Sequence, residues 1–161
     1  MATEIERKFL VLSEDWRSAV SKSIDIAQGY IQAREDRTVR VRLKGDAAFI
    51  TLKIATSSIE RLEFEYPIPV EDARVLLTTA CTEGSVTKVR HLVPASDGLM
   101  WEIDEFTGEN APLVVAELEV PSADTVFERP NWLGEEVSED TRYLNARLAQ
   151  QPWSTWGQPS R

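Results

Sequence analysis

Charged and apolar residues alternate along seven segments of this chain, and this pattern limits the fold more than any other feature. In the first segment Glu4, Glu6 and Lys8 share one face, because successive side chains of a β-strand point to opposite faces. Such alternation is typical of an antiparallel sheet with one face packed on a core. Together with a segment carrying uncharged polar residues, it predicts strands at 4–11, 26–32, 37–44, 49–55, 59–68, 85–93, 99–106 and 114–120.

Helices are predicted between and after these strands, from apolar residues at helical spacing and from Ser residues that can cap a first turn. They are 14–22 after Ser13, 71–80, a short helix between Ser122 and Pro130, and 139–150 after Ser138. Trp153 and Trp156 in the tail are expected to pack back onto the body of the protein.

Length and composition are those of one folded domain. The chain has 161 residues, of which 42% are hydrophobic, so a single domain over 1–161 can bury a core. No apolar run approaches the roughly 20 residues needed to cross a bilayer. The net charge of −9 disfavours nucleic acid and anionic membranes as partners. Cys81 is the only cysteine, which excludes an internal disulfide and predicts a cytoplasmic location.

The scarcity of histidine and cysteine limits the kind of metal site. His91 is the only histidine, and we interpret it as an ordinary strand-end residue rather than a catalytic one. Zinc sites built from His and Cys are therefore nearly excluded. Any bound metal is expected to be hard and held by oxygen, which means magnesium, manganese or calcium.

The charges on the predicted strands come in groups of one sign. Like charges on neighbouring strands repel each other, so a merely solvated face would more often carry mixed polar residues. For any one strand alone, a half-buried strand with a solvated charged face is still a sufficient explanation. The acids are Glu4, Glu6, Glu63, Glu65, Glu102, Asp104, Glu117 and Glu119, and the bases are Lys8, Arg40, Arg42, Lys44, Lys53, Arg61, Lys88 and Arg90.

These groups are explained if the strands close into a barrel with the charges inside. An eight-stranded barrel leaves room for side chains or one small ligand, and its outward apolar faces need helices as cover. The interior set has eight acids and eight bases, so 19 acids and 10 bases remain outside and account for the whole net charge of −9. The predicted fold is α+β, an eight-stranded antiparallel tunnel with helices packed on its outside.

Such an interior needs ligands of both signs. Buried carboxylates cost several kcal/mol each unless they are compensated, and a divalent cation compensates several of them. Buried Arg and Lys require an anion, and the guanidinium group matches phosphate oxygens. A metal ion together with a polyphosphate satisfies both groups.

The stretch Glu4-Ile5-Glu6-Arg7-Lys8 matches the ExExK signature of the CYTH proteins, the triphosphate tunnel metalloenzymes. The chain resembles the short bacterial members of that family over most of its length. The further matching motifs are Gln28-Gly29-Tyr30, Val39-Arg40-Val41-Arg42, Thr51-Leu52-Lys53, Glu63 with Glu65, Lys88-Val89-Arg90, Trp101-Glu102-Ile103-Asp104, Glu117-Leu118-Glu119 and Tyr143-Leu144-Asn145.

The resemblance implies a tunnel that binds triphosphate groups and hydrolyses them with a divalent cation, Mg²⁺ or Mn²⁺. It places the phosphates on Arg40, Arg42, Lys53, Lys88 and Arg90. It places the first metal on Glu4, Glu6 and either Glu117 or Glu119, and a second metal or the attacking water on Glu63, Glu65 and Asp104. Lys8 with Tyr30 resembles a catalytic pair of bacterial members. A homodimer is left open.

Three classes of function fit this interpretation. The first is hydrolysis of inorganic triphosphate, and the second is a thiamine triphosphatase, nucleoside triphosphatase or adenylate cyclase on the same tunnel. The third is a non-enzymatic binder of polyphosphate or nucleotide. A base or thiazolium needs an aromatic platform, and only Tyr30 and Phe49 fall on the interior faces. With Tyr30 expected to engage Lys8, inorganic triphosphate is the predicted substrate, and Phe49 is the residue that would favour the second class.

Overall fold

The computed structural model describes residues 3–157, and in it eight strands close into an antiparallel barrel. Around the barrel the order is β1, β5, β4, β3, β2, β6, β7 and β8, which pairs again with β1. The predicted tunnel is confirmed. The strands are β1 Thr3–Val11, β2 Lys22–Ala33, β3 Arg37–Lys44, β4 Ala47–Ala55, β5 Glu60–Pro67, β6 Ser85–Pro94, β7 Met100–Phe106 and β8 Val114–Glu119.

A ninth strand, β9 (Leu133–Glu136), was not predicted from the sequence. It pairs with the end of β1, where Phe9 lies opposite Glu136 and Val11 opposite Leu133. On the same side, the start of β1 pairs with β5 through residues 3–5 only. Strand β9 therefore extends the pairing of β1 beyond β5. Its four residues, LGEE, are too few to show an alternating pattern.

The helical segments are shorter than the sequence predicts. The helix α1 spans Val70–Thr79, close to its prediction, whereas the 14–22 helix is reduced to a 3₁₀ turn at Asp15–Ala19 because β2 already begins at Lys22. The predicted 139–150 helix is divided by Leu144, whose backbone is extended (φ −64°, ψ 137°). Before Leu144 lies a 3₁₀ turn at Thr141–Tyr143, and after it lies α2, Asn145–Gln150.

The predicted helix between Ser122 and Pro130 is wrong, because this segment is a turn followed by irregular chain. The Ser122 hydroxyl donates to Asp124 Oδ1 at 2.7 Å, and the Ser122 backbone N–H donates to Thr125 Oγ1 at 3.1 Å. These local side-chain bonds offer the backbone an alternative to a helix. With Pro130 close by, too few residues remain to offset the cost of nucleating one.

Two apolar clusters cover the outside of the barrel. Phe9, Trp101 and Leu118 pack with Trp16 and Trp132 on the outer faces of β1, β7 and β8. Ala73 of α1 packs against the outer faces of β3 and β4 in the second. This cover is incomplete, since Leu52, Ile54 and Tyr66 are 39%, 41% and 55% exposed. The expectation that helices cover the outward apolar faces is therefore wrong at Tyr66.

The C-terminal segment closes one end of the barrel. Tyr143 and Leu148 pack on Phe106 and Val115, which alternation places on the same strand faces as the interior charges. Trp153 and Trp156 pack against this cluster, as predicted for the tail. No helix within residues 3–157 is long and apolar enough to cross a membrane.

Candidate active site

The barrel encloses a cavity of about 220 Å³ with a mostly charged lining. We call this cavity the lumen. All the predicted site residues except Asp104 line it, namely Glu4, Glu6, Lys8, Tyr30, Arg40, Arg42, Lys53, Glu63, Glu65, Lys88, Arg90, Glu117 and Glu119. The alternation of the strands therefore brought together residues that lie far apart in the sequence.

Carboxylates gather on one side of the lumen, on β1, β5, β7 and β8. Glu6 lies directly opposite Glu119 across the β1–β8 pair. Burial, together with the charges of Glu4 and Glu6, raises the pKa of Glu119 to about 7. Burial and the charge of Glu117 also raise the pKa of Glu6. Raised carboxyl pKa values mean that this side carries more negative charge than the protein itself compensates.

Glu117 differs from Glu119 although both line the lumen from β8. Its Oε2 lies 3.2 Å from Lys8 Nζ, and its Oε1 lies 3.5 Å from Arg90 Nη2. Burial alone would raise the pKa of Glu117, but Lys8 and Arg90 outweigh that effect and hold it at about 2. Of the two glutamates between which the sequence could not choose, Glu119 is thus the one with no compensating cation among residues 3–157.

Arginines of β3 form the opposite side of the lumen. The Arg42 Nε donates to Gln28 Oε1 at 3.1 Å, so its nearest partner is a neutral amide. Burial, together with the charges of Arg40 and Arg90, lowers the pKa of Arg42 to about 9. Arg40 Nη2 lies 3.5 Å from Glu65 Oε2, while its buried Nε has no hydrogen-bond partner among the described residues. These donors are arranged for an anion.

Asp104 contacts two of the lumen bases and does not itself line the cavity. Its carboxylate accepts from Lys88 Nζ at 2.7 Å and from Arg90 Nε at 2.8 Å, and the side chain is 1% exposed. Although burial acts in the opposite direction, Arg90 and Lys88 hold the pKa of Asp104 well below its usual range. The structure places this predicted metal ligand behind Lys88 and Arg90, two of the bases that the sequence analysis assigns to the phosphates.

Lys8 and Tyr30 both line the lumen, but they do not contact each other as a pair. Tyr30 was expected to engage Lys8, but the strands that carry them, β2 and β1, are not neighbours in the barrel. Lys8 Nζ donates to the Tyr143 carbonyl at 3.1 Å, in addition to its ion pair with Glu117. The Tyr30 hydroxyl accepts from Gln28 Nε2 at 3.0 Å. Tyr30 therefore supports Arg42 through Gln28.

Asn145 is a lumen residue to which the sequence assigned no role. Its Oδ1 accepts from Lys88 Nζ at 2.7 Å and from Gln28 Nε2 at 3.2 Å. It opens α2, beside the end of the barrel that the C-terminal segment closes. An Asn at the start of a short helix reads as an ordinary helix-start residue, so only its place in the matched Tyr143-Leu144-Asn145 motif pointed to the lumen.

Two residues considered for function lie away from the lumen lining. His91 is held on the outer side by Ser23 Oγ at 2.7 Å and by Glu105 Oε1 at 3.0 Å. Phe49 is half-buried and lies opposite Arg42 on β4, but it is not part of the lining. No aromatic platform other than Tyr30 lines the lumen in the described part of the chain.

The acidic side has the donor chemistry for a hard divalent cation. Glu4, Glu6, Glu63 and Glu119 supply oxygen only, which suits magnesium, manganese or calcium. Within residues 3–157 no three acidic, imidazole or thiol groups already converge as a finished metal site. Lys53 lies among these carboxylates, with its Nζ 3.0 Å from Glu4 Oε1 and 3.6 Å from Glu63 Oε2.

Comparisons with known proteins agree with this geometry. Residues 2–150 match the CYTH domain family. A protein of Acetivibrio thermocellus named inorganic triphosphatase is 41% identical over 156 residues, which is 97% of this chain and 99% of that protein. One of Nitrosomonas europaea with the same name is 38% identical over 151 residues, covering 91% and 97%. The crystal structure of an inorganic triphosphatase superposes with a TM-score of 0.65 and 35% identity, covering 93% of this chain and 96% of the other.

Proposed function

We propose that this chain, which belongs to the CYTH domain family, hydrolyses inorganic triphosphate to diphosphate and phosphate with a divalent cation, Mg²⁺ or Mn²⁺. Two relatives that match nearly the whole chain at 41% and 38% identity bear the name inorganic triphosphatase. The lone Cys81 is the reason to propose a cytoplasmic location as well.

One observation carries the proposal: the lumen holds excess charge of both signs on opposing sides. Burial, together with the neighbouring cations Arg40 and Arg90, lowers the pKa of Arg42 to about 9. Burial, together with the neighbouring carboxylates Glu4 and Glu6, raises the pKa of Glu119 to about 7. A triphosphate bound to a divalent cation places its negative oxygens beside the first group and its metal beside the second. A single cation or a single anion would compensate the excess charge on only one of the two sides.

The chain's own residues then have distinct tasks. Arg40 and Arg42 bind phosphate oxygens and stabilise the charge that develops on the transferred group. Lys88 and Arg90 do the same from β6, held in place by Asp104. A divalent cation on the acidic side would neutralise phosphate charge and lower the pKa of a bound water.

The reaction needs a water molecule in line with the bond that breaks. The water oxygen bonds to the terminal phosphorus while the bond to the diphosphate oxygen breaks, which releases phosphate and diphosphate. Glu63 and Glu65 line the lumen and are proposed to orient the water or to support a second cation. Lys8, beside Glu117, is proposed to assist in positioning the water, and Tyr30 to hold Gln28 and thereby Arg42.

The choice of substrate rests on the stacking contacts that the lumen lacks for a substrate with a base. Tyr30 is buried with its hydroxyl bonded to Gln28, and Phe49 is not part of the lining. Stacking would supply roughly 1–3 kcal/mol for a base, and that contribution is missing here. Recognition therefore rests on the phosphates.

The test is release of phosphate from inorganic triphosphate with Mg²⁺ or Mn²⁺ and in excess chelator. Hydrolysis should require the cation and should be nearly lost in Glu119→Gln. Glu109→Gln, on an exposed 3₁₀ turn away from the lumen, is the matched control and should behave as the wild type. Full activity in excess chelator would refute the proposal, and binding of triphosphate without turnover would instead support a binding protein.

A further inference from the structure

Lys53 is a buried cation situated inside the acidic group of the lumen. Its Nζ lies 3.0 Å from Glu4 Oε1 and 3.6 Å from Glu63 Oε2. The Lys53 ammonium therefore bridges carboxylates of β1 and β5.

The Lys53 ammonium occupies the position that a divalent cation would need in order to bind Glu4 and Glu63. Glu4 and Glu63 are brought near each other because the start of β1 pairs with β5, and Lys53 faces Glu63 across the β4–β5 pair. A cation that binds Glu4 and Glu63 must take the place of the Lys53 ammonium, because like charges cannot share the same carboxylate oxygens at this distance. This also explains why no three carboxylates within residues 3–157 converge on one point.

The displaced ammonium has a destination on the same strand. Thr51 precedes Lys53 by two residues and so falls on the same face of β4, where its hydroxyl contacts both Arg40 and Glu65. A change of side-chain rotamer can turn the Lys53 ammonium from the carboxylates of β1 and β5 toward Arg40. Arg40 belongs to the phosphate-binding bases, and a second cation beside it needs an anion to be stable.

We propose that Lys53 acts as an internal counter-ion that competes with the divalent cation, so that metal binding drives its ammonium toward the phosphates. Resting on the proposed function, this makes binding of metal and of triphosphate mutually favourable. The metal releases Lys53 for the substrate, and the substrate stabilises Lys53 in the position that leaves Glu4 and Glu63 to the metal. Such reciprocal coupling is required by thermodynamic linkage.

The test is the affinity for Mn²⁺ alone, measured by titration with electron paramagnetic resonance. Lys53→Met should bind Mn²⁺ about tenfold more tightly than the wild type, a size typical of coupling between two sites. Lys53→Arg keeps the charge and should remain within about threefold of the wild type. Lys44→Met is the matched control, since it removes another lumen lysine that forms no ion pair with Glu4 or Glu63 in the described structure. It too should remain within about threefold.

A second measurement uses the wild type and does not depend on the Lys53 variants folding, because the Lys53 signal can be assigned from the other lysines by elimination. The chain has only five lysines, so ¹³Cε signals of labelled lysine can be assigned one by one with substitutions that do fold. Addition of Mg²⁺ should shift the Lys53 signal more than that of Lys44. An unchanged Lys53 signal at saturating Mg²⁺ would overturn the inference.

The outcomes separate this inference from the proposed function. If the wild type hydrolyses triphosphate and binds Mn²⁺, but Lys53→Met binds Mn²⁺ no more tightly, only the role of Lys53 is wrong. An equal gain in Mn²⁺ affinity in Lys44→Met would show that the effect depends only on the total charge of the lumen. That result would also overturn the inference about Lys53. If neither the wild type nor any variant binds Mn²⁺ or turns over triphosphate, the proposed function itself fails.

Discussion

Glu119 lies directly opposite Glu6 across the β1–β8 pair, whereas Glu117, two residues away on the same face of β8, is paired with Lys8. The same strand thus presents one carboxylate without a compensating cation among residues 3–157 and one that is neutralised by the protein. We propose that the first belongs to a site for a cation and the second to the internal framework of the lumen.

The stability of the metal-free protein should depend on pH through Glu119. Its pKa is about 7 in the folded protein and near its ordinary value in the unfolded chain, so the folded state binds more protons between these values. Stability should therefore fall as the pH rises from about 4.5 through about 7. Thermal melts in chelator over this range should show the decline, and Glu119→Gln should flatten it.

The same variant should respond differently to metal. At pH 8, Glu119→Gln should melt at a higher temperature than the wild type in chelator, because a repelling charge is removed. Addition of Mg²⁺ should raise the melting temperature of the wild type but not of the variant. A variant that is less stable than the wild type in chelator would contradict the assignment of Glu119 to the cation site.

Replacement of Asp104 should act on stability rather than on metal binding. Asp104→Asn leaves Lys88 and Arg90 buried with a weakened partner, and loss of a partner from a buried pair typically costs about 3–5 kcal/mol. Urea unfolding should show a cost approaching this range, while Mn²⁺ affinity should change less than about twofold in the molecules that fold. Loss of Mn²⁺ binding without a loss of stability would instead show that Asp104 is a metal ligand.

The sequence predicted the barrel because alternation carries information about faces. A period of two assigns each charge to one side, and closure of eight strands then brings the assigned side chains to a single lumen. The pairing of individual charges could not be predicted in this way. Glu117 and Glu119 are equivalent in the pattern and differ only because the barrel places Lys8 and Arg90 beside one of them.

The alternation pattern also could not predict the contacts at the end of the barrel that the C-terminal segment closes. Asn145 contacts Lys88 because the C-terminal segment crosses the end of the barrel, and the alternation within strands contains no information about that crossing. The short strand β9 and the break at Leu144 depend on the same tertiary packing. Local propensity had favoured one continuous helix there.

Replacement of Arg42 should raise the stability of the protein and lower its activity. The Arg42 charge is unfavourable in the metal-free and substrate-free lumen, so Arg42→Met should raise stability slightly while it lowers kcat/KM for triphosphate. The loss should correspond to about 2–5 kcal/mol of transition-state stabilisation. Lys44→Met should lose much less. Equal and small losses at both positions would indicate a solvated face instead of a phosphate site.

Binding of triphosphate should be accompanied by proton uptake. Burial lowers the pKa of Lys88 to about 7 although Asp104 acts in the opposite direction, and a nearby anion should raise that pKa again. Calorimetric titration in chelator, in buffers of different ionisation enthalpy, should detect this uptake. It should shrink in Lys88→Met and persist in Lys44→Met. Uptake that is unchanged in Lys88→Met would show that another group takes the proton.

The most direct measurement compares kcat/KM for inorganic triphosphate, ATP and thiamine triphosphate under the same conditions with Mg²⁺. The lumen is lined with Arg and Lys side chains and, among residues 3–157, has no free aromatic platform in its lining, so inorganic triphosphate should be preferred at least tenfold, a difference of about 1.4 kcal/mol. Phe49→Ala should leave that preference unchanged. A clear preference for ATP or thiamine triphosphate that disappears in Phe49→Ala would contradict the account.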